Sequence, residues 1–301
     1  MKKPLKKLLF LALIVFGSIS AKAQLSDLAR VEYTYFPQSS SDNSFRRFRT
    51  FANFPIELGK EGTYLVPGLE YRNVNFKFED NTDFGTYHLN RFQSFTATLG
   101  YVFNWNENWK VAIQTGAKAA SNFSTNKLLN DDLIYKGAIY LIKIKKGENI
   151  EKPTRLILGL NYSTTAGFPF PLPVVNYYKE FRPQWSYMLG IPKTNIKYNL
   201  NDQNVLQAFV TLDGFYANVQ DNFDATPFDQ GDNHANSMSM TIVLAGLGYE
   251  YSITEHLAFY IYAGHTLMND IRLRDDDRED VYTINDVNTF YARSGLKFSL
   301  F

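Results

Sequence analysis

Side chains suited to acid–base, nucleophilic or metal chemistry are few in this sequence, and they are scattered. There is no cysteine among 301 residues, which excludes a thiolate nucleophile, a disulfide framework and a sulfur-ligated metal. The four histidines, His88, His234, His256 and His265, form no His-Glu-x-x-His pair that would set two imidazoles on one helix face as zinc ligands. Ser294-Gly295 lacks the preceding glycine of a nucleophile elbow. Acidic residues gather at Asp221, Asp224, Asp229 and Asp232, and again at Asp275, Asp276, Asp277, Glu279 and Asp280. Neither run has the spacing and glycine of an EF-hand, and Arg272 and Arg274 beside the second offer local ion pairing. The expectation is no enzyme, no metal and no cofactor.

Another set of polar residues does have a regular spacing. Lys110, Gln114 and Lys118 alternate with Val111, Ile113 and Ala117, and Arg155 alternates with Leu156 and Leu158. Gln207 and Asp213 alternate with Leu206 and Leu212, and Glu250, Arg293 and Lys297 sit in similar stretches. Successive strand side chains point to opposite faces, so each stretch has one apolar and one polar face. A charge turned to lipid is costly. These residues are therefore expected to line the polar lumen of a transmembrane barrel.

The elements that must position them are strands. Period-two alternation runs from His88 to Trp105 and recurs in segment after segment, with no comparable 3.6-residue period. The pattern predicts an all-β protein, an antiparallel transmembrane β-barrel of about twelve strands: 29–36, 45–58, 63–78, 87–103, 109–121, 133–145, 154–164, 184–191, 205–218, 238–252, 257–271 and 287–301. Many exceed the five or six residues usual in soluble sheets and reach the length that crosses a bilayer. Connections alternate between tight turns, such as Gly59–Gly62 and Ile253–His256, and longer loops, as in outer-membrane barrels.

The start of the chain supports export. Lys2, Lys3, Lys6 and Lys7 precede the apolar run Leu8–Phe16, and Ala21-Lys22-Ala23 ends it, a secretory signal pattern with cleavage after Ala23. Domain organisation is thus a signal peptide at 1–23 and one barrel domain at 24–301. The apolar run is too short to span a membrane. The whole chain carries 31 basic and 30 acidic side chains. Five of those lysines lie in the signal, so the mature chain is net acidic. A near-balanced charge argues against nucleic acid as a partner.

The composition is unusually aromatic, with 25 Phe, 20 Tyr and 3 Trp, yet mean hydropathy is only −0.27. Alternation reconciles the two if apolar and aromatic side chains face lipid. Phe54, Trp105, Trp109, Tyr249 and Tyr251 are expected at the short-turn rim, and Tyr87, Tyr162 and Tyr216 at the outer rim.

Arg293, Gly295, Phe298 and Leu300, with Phe301 one residue further, resemble the C-terminal assembly signal of bacterial outer-membrane barrels. That resemblance implies the outer-membrane assembly machinery as a partner. The segment Phe168 to Tyr178, followed by Phe181, Pro183, Trp185 and Gly190-Ile191-Pro192, resembles the signature of an uncharacterised family of outer-membrane barrels found mainly in Bacteroidota-type bacteria. It implies fold and location and transfers no catalytic residue. Prolines fix φ and remove donors, so this stretch is expected to be a stiff mouth loop or plug bearing Pro169, Pro171, Pro173, Tyr177 and Trp185.

The sequence thus predicts a Gram-negative, porin-like barrel in the cell outer membrane, bounded by lipid bilayer and lipopolysaccharide. The leading expectation is a passive channel or solute-uptake protein for small solutes. A structural or surface-interaction barrel without an open pore is the alternative, and an outer-membrane enzyme ranks third.

Overall fold

A computed structural model describes residues 27–37, 43–78, 85–145, 154–163, 170–224 and 234–299. The signal segment, Pro169, Leu300 and Phe301 lie outside them. The strands are β1 (Ala29–Pro37), β2 (Ser44–Asn53), β3 (Ile56–Glu57), β4 (Tyr64–Lys77), β5 (Arg91–Asn104), β6 (Trp109–Ser121), β7 (Leu133–Lys145) and β8 (Thr154–Ser163). They continue as β9 (Phe170–Arg182), β10 (Trp185–Ile191), β11 (Lys193–Asn199), β12 (Asn204–Asp224), β13 (His234–Ser252), β14 (Leu257–Arg274), β15 (Asp280–Asn285) and β16 (Phe290–Phe298). Neighbours pair antiparallel around a ring that β1 and β16 close, with Ala29 opposite Phe298. β3 and β15 are short arms on β4 and β14. The wall therefore has 14 strands, a correction to the expected twelve.

Both extra strands come from segments expected as connections. β9 contains Pro171 and Pro173, which pair with Tyr162 and Leu160 of β8. Prolines are tolerated there because β10 ends at Ile191, opposite Val175, so β9 has no second ladder at their level. The expected mouth loop is thus wall. Pro171, Pro173 and Tyr177 lie on its outward set, and Trp185 opens β10 at the opposite, short-turn end. β11 is a seven-residue strand whose outward residues are Thr194, Ile196 and Tyr198, too few apolar positions to announce it. It joins β10 through a one-residue turn at Pro192, whose Ile191–Pro192 peptide is cis. Gly190 makes that turn possible: its φ is +146°, and a Cβ would sit 1.7 Å from the Val175 carbonyl oxygen.

Strand height varies around the ring. β12, β13 and β14 run 21, 19 and 18 residues, whereas β10 and β11 have 7 each. β11 stops at Lys193 opposite Thr211, so above that level β12 has no wall neighbour on one side. At the same level the β13–β14 register shifts between Val243 and Leu244, a bulge of the kind that bends a sheet. The upper β12–β13 hairpin leans across the mouth until Asn218 pairs in parallel with Ser121 of β6. Alternation is lost there: Gly214, Phe215, Val219 and Gln220 are all buried, because this part of β12 has protein on both faces.

The leaning hairpin covers a solid apolar core. Phe36, Phe45, Phe76 and Phe92 from the wall meet Phe215, Met238, Met240 and Leu273 from the hairpin and β14. The rings interlock, with centroids 5.0 Å apart for Phe36 and Phe45 and 5.4 Å for Phe45 and Phe76. Each such side chain contributes about 1.5–3 kcal/mol by leaving water. Many aromatics therefore point inward, not outward as the composition suggested. Tyr216 is not at a rim either, since its carbonyl accepts a hydrogen bond from the Lys118 ammonium at 2.8 Å. Phe54, Trp105, Tyr251 and Tyr87 are exposed at the barrel ends, and Trp185 packs on Tyr198 at 4.6 Å at the short-turn rim.

Candidate functional site

Below the apolar core the lumen is polar, and four of its carboxylates are each held by two cations. Asp213 of β12 takes both guanidinium nitrogens of Arg47 at 2.9 and 2.6 Å and Arg293 at 2.6 Å. Because Arg47 is on β2 and Arg293 on β16, this cluster is a strut across the lumen at the base of the leaning hairpin. Arg72 reaches the neighbouring Gly214 carbonyl at 3.2 Å.

Glu70 of β4 accepts from Arg49 at 2.6 Å and Arg72 at 2.7 Å. Glu32 of β1 is approached by Arg30 at 3.3 Å and Arg49 at 3.5 Å, and Tyr260 donates to it at 2.8 Å. Gly295 leaves room for that tyrosine, since a Cβ there would meet its hydroxyl at 2.8 Å. On the other side, Glu250 of β13 pairs with Lys197 at 3.1 Å and Lys297 at 2.7 Å, and accepts from Gln207 at 2.9 Å and Tyr262 at 2.5 Å. Arg–carboxylate forks of this kind fix geometry as well as charge.

The polar residues singled out by alternation occupy the inward sets of their strands. Lys118 is buried against β12, and Lys110 and Gln114 share its side of β6. Arg155 stacks over Tyr178 at 5.8 Å. Gln207, Asp213, Glu250, Arg293 and Lys297 sit in the networks above. Alternation missed Glu32, Arg47, Arg49, Glu70, Arg72, Lys136, Lys193 and Lys197. In β2 the inward set reads Phe45, Arg47, Arg49, Phe51 and the outward set Arg46, Phe48, Thr50, so neither set is uniformly polar.

The inward side chains are more basic than acidic. Beyond the cations already paired with the four carboxylates, Lys118, Lys136 and Lys193 also turn inward. Lys193 lies over the Phe209 and Tyr262 rings at 5.1 and 5.5 Å. A cavity of about 400 Å³ opens in this region, lined by Arg30, Arg49, Phe51, Thr96, Gln114 and Lys136 among others.

A second polar cluster fastens the hairpin to the loop after β6. Asp132 is fully buried and accepts from Asn218 at 2.9 Å, Gln220 at 2.7 Å and the Leu129 amide at 2.7 Å. Gln220 in turn accepts from the Thr125 hydroxyl at 2.8 Å and donates to the Lys127 carbonyl at 2.9 Å. Of the histidines, His88 sits in the turn before β5, and His265 lies on β14 with its ring against Phe290 at 4.9 Å.

A family model matches residues 19–299, which takes in every strand of the barrel. The chain belongs to that family, a domain of unknown function (DUF6268). No curated protein matches it. Solved structures with which it shares some similarity include the KdgM porin, at 9% identity over 90% of this chain and 98% of that one, with a TM-score of 0.34. Outer membrane phospholipase A from Escherichia coli has 10% identity over 93% and 99%, with a TM-score of 0.38. LpxR from Salmonella typhimurium has 6% identity over 90% and 99%, with a TM-score of 0.36. Likeness at this level carries neither residues nor activity to this chain.

Proposed function

We propose that the protein is an outer-membrane β-barrel for uptake of small polar solutes, held shut at its long-loop end in the resting state. Outward residues such as Leu69, Ile139, Leu160 and Leu247 stay exposed around the wall, an apolar surface suited to lipid and unlike that of a soluble protein. Lipid bilayer and lipopolysaccharide are its proposed surroundings, with the assembly machinery as partner through the C-terminal strand. The observation that carries uptake is the division of the lumen: hollow and basic below, solid and apolar above, with the β12–β13 hairpin hydrogen-bonded to β6 and its following loop as the seal. A passive, permanently open pore does not fit a mouth filled in this way.

The depth of the seal favours a second reading, a structural or surface-interaction barrel that never opens. Planar-bilayer recording separates the two. Wild-type protein is expected to be silent, and Asp132→Ala with Gln220→Ala is expected to give discrete openings. Steady wild-type conductance would overturn resting closure. Silence of a correctly folded unlatched variant, even after removal of residues 217–236, would favour the sealed barrel.

A further inference from the structure

The cavity in the lower lumen has an unusual balance of hydrogen-bonding groups. Its carboxylates are already occupied: Glu70 by Arg49 and Arg72, and Asp27 by Arg30. Its donors are not. Among the described residues the Lys136 ammonium and the Gln114 amide have no hydrogen-bond or ion-pair partner. Thr96 and Arg30 also line the cavity, and each has a polar atom buried behind its surface without a partner, Thr96 Oγ1 and Arg30 Nε. An ammonium and an amide without a protein acceptor, side by side on one hollow space, point to an acceptor held within it. A free ammonium in that group makes the preferred acceptor an anion.

From this we infer that the cavity is a binding site for a small solute carrying an oxyanion, a carboxylate or phosphate group. Lys136 supplies the charge, and the Gln114 amide supplies a hydrogen bond. Phe51, flanked by the Arg49 guanidinium at 4.9 Å and that of Arg30 at 5.9 Å, gives the rest of the solute an apolar floor. The volume, about 400 Å³, is at the lower end of the range for small-molecule sites. Asp27, Phe51 and Asn53 place its entrance near the short-turn end. The surplus of inward cations extends the same preference along the lumen, where low-dielectric walls concentrate counter-ions. This deepens the uptake reading and rests on it for the route by which a solute arrives.

The test is calorimetric titration of the folded full chain in detergent micelles with citrate, inorganic phosphate and, as a neutral probe, glucose. Binding of citrate or phosphate is expected, weakened by salt, with glucose giving no heat; which anion binds identifies the group recognised. Lys136→Gln is expected to lower the affinity at least tenfold and Lys136→Arg to restore most of it. Gln114→Leu gives a second loss, while Arg91→Gln on the outer face leaves binding unchanged. Heat-modifiable migration confirms that each variant is folded. Equal binding of glucose, no binding of either anion, or full affinity in both Lys136→Gln and Gln114→Leu would overturn the site. Because micelle binding needs no pore, anion binding with a silent bilayer rejects uptake alone, and gated openings without anion binding reject this site alone.

Discussion

On one side of the barrel, β12–β14 run 18 to 21 residues and lean over a core of interlocked phenylalanines. On the other, β10 and β11 stop at 7 residues and face a lumen of half-buried polar side chains. The sides are coupled. Because β11 ends at Lys193, β12 loses its neighbour above Thr211 and finds another across the mouth in β6. The short side thereby permits the long side to close the barrel, and a lumen that would be one wide space is divided at the β6–β12 seam.

The largest effects are expected where the leaning side is anchored. Asp213→Ala strands the buried guanidiniums of Arg47 and Arg293 and is expected to cost about 3–5 kcal/mol, seen as a fall in the urea midpoint of refolded protein. Phe45→Ala is expected to cost a similar amount, about 3–5 kcal/mol, while Met188→Ala on the short side, only half-buried, costs clearly less. Equal losses at Phe45 and Met188 would erase the distinction between the sides. An intermediate effect is expected at the clasp: Gln220→Ala leaves Asp132 short of a donor, about 1–3 kcal/mol, and raises proteolytic cleavage in the β12–β13 hairpin without unfolding the wall. On the short side, Pro171→Ala is expected to stay within about 0.5 kcal/mol of wild type, since no ladder there requires the proline's nitrogen.

The smallest effect concerns the β15 arm. Slight burial pushes the Asp280 carboxyl up, but hydrogen bonds from Arg272 and Arg274 outweigh it and hold the group below the usual carboxylate range. A carboxylate with a lowered pKa contributes stability above its unfolded pKa and loses it as pH falls through the folded value. Amides of residues 280–285 should therefore keep their exchange protection into mildly acidic solution and lose it only below the ordinary aspartate range. Loss at pH 6 would sink that assignment.

Much of the wall was legible in the sequence because its cause is local. Where one strand face meets an apolar exterior and the other a polar interior, residues alternate, and segments such as Arg91–Asn104 and Trp109–Ser121 display it directly. β9 was hidden by Pro171 and Pro173, which are acceptable only because β10 ends early, a fact about a neighbour. β11 was hidden because seven residues with one aliphatic and one aromatic outward side chain make a weak pattern. The lower site was partly legible, through Gln114. Lys136 escaped because the tyrosines and isoleucines around it fill both sets of β7.

By itself, then, the sequence determined an all-β chain with period-two strands, tight turns at one end and polar residues turned from an apolar exterior, because each follows from the geometry of a single strand. The tertiary structure decided the number of strands, the lean of the β12–β13 hairpin and the inward turn of so many aromatics. Those depend on where one strand stops relative to another, and on contacts such as Asp213 with Arg47 and Asn218 with Ser121 that join residues about a hundred or more positions apart. No local period encodes such pairs, since they exist only once the ring has closed.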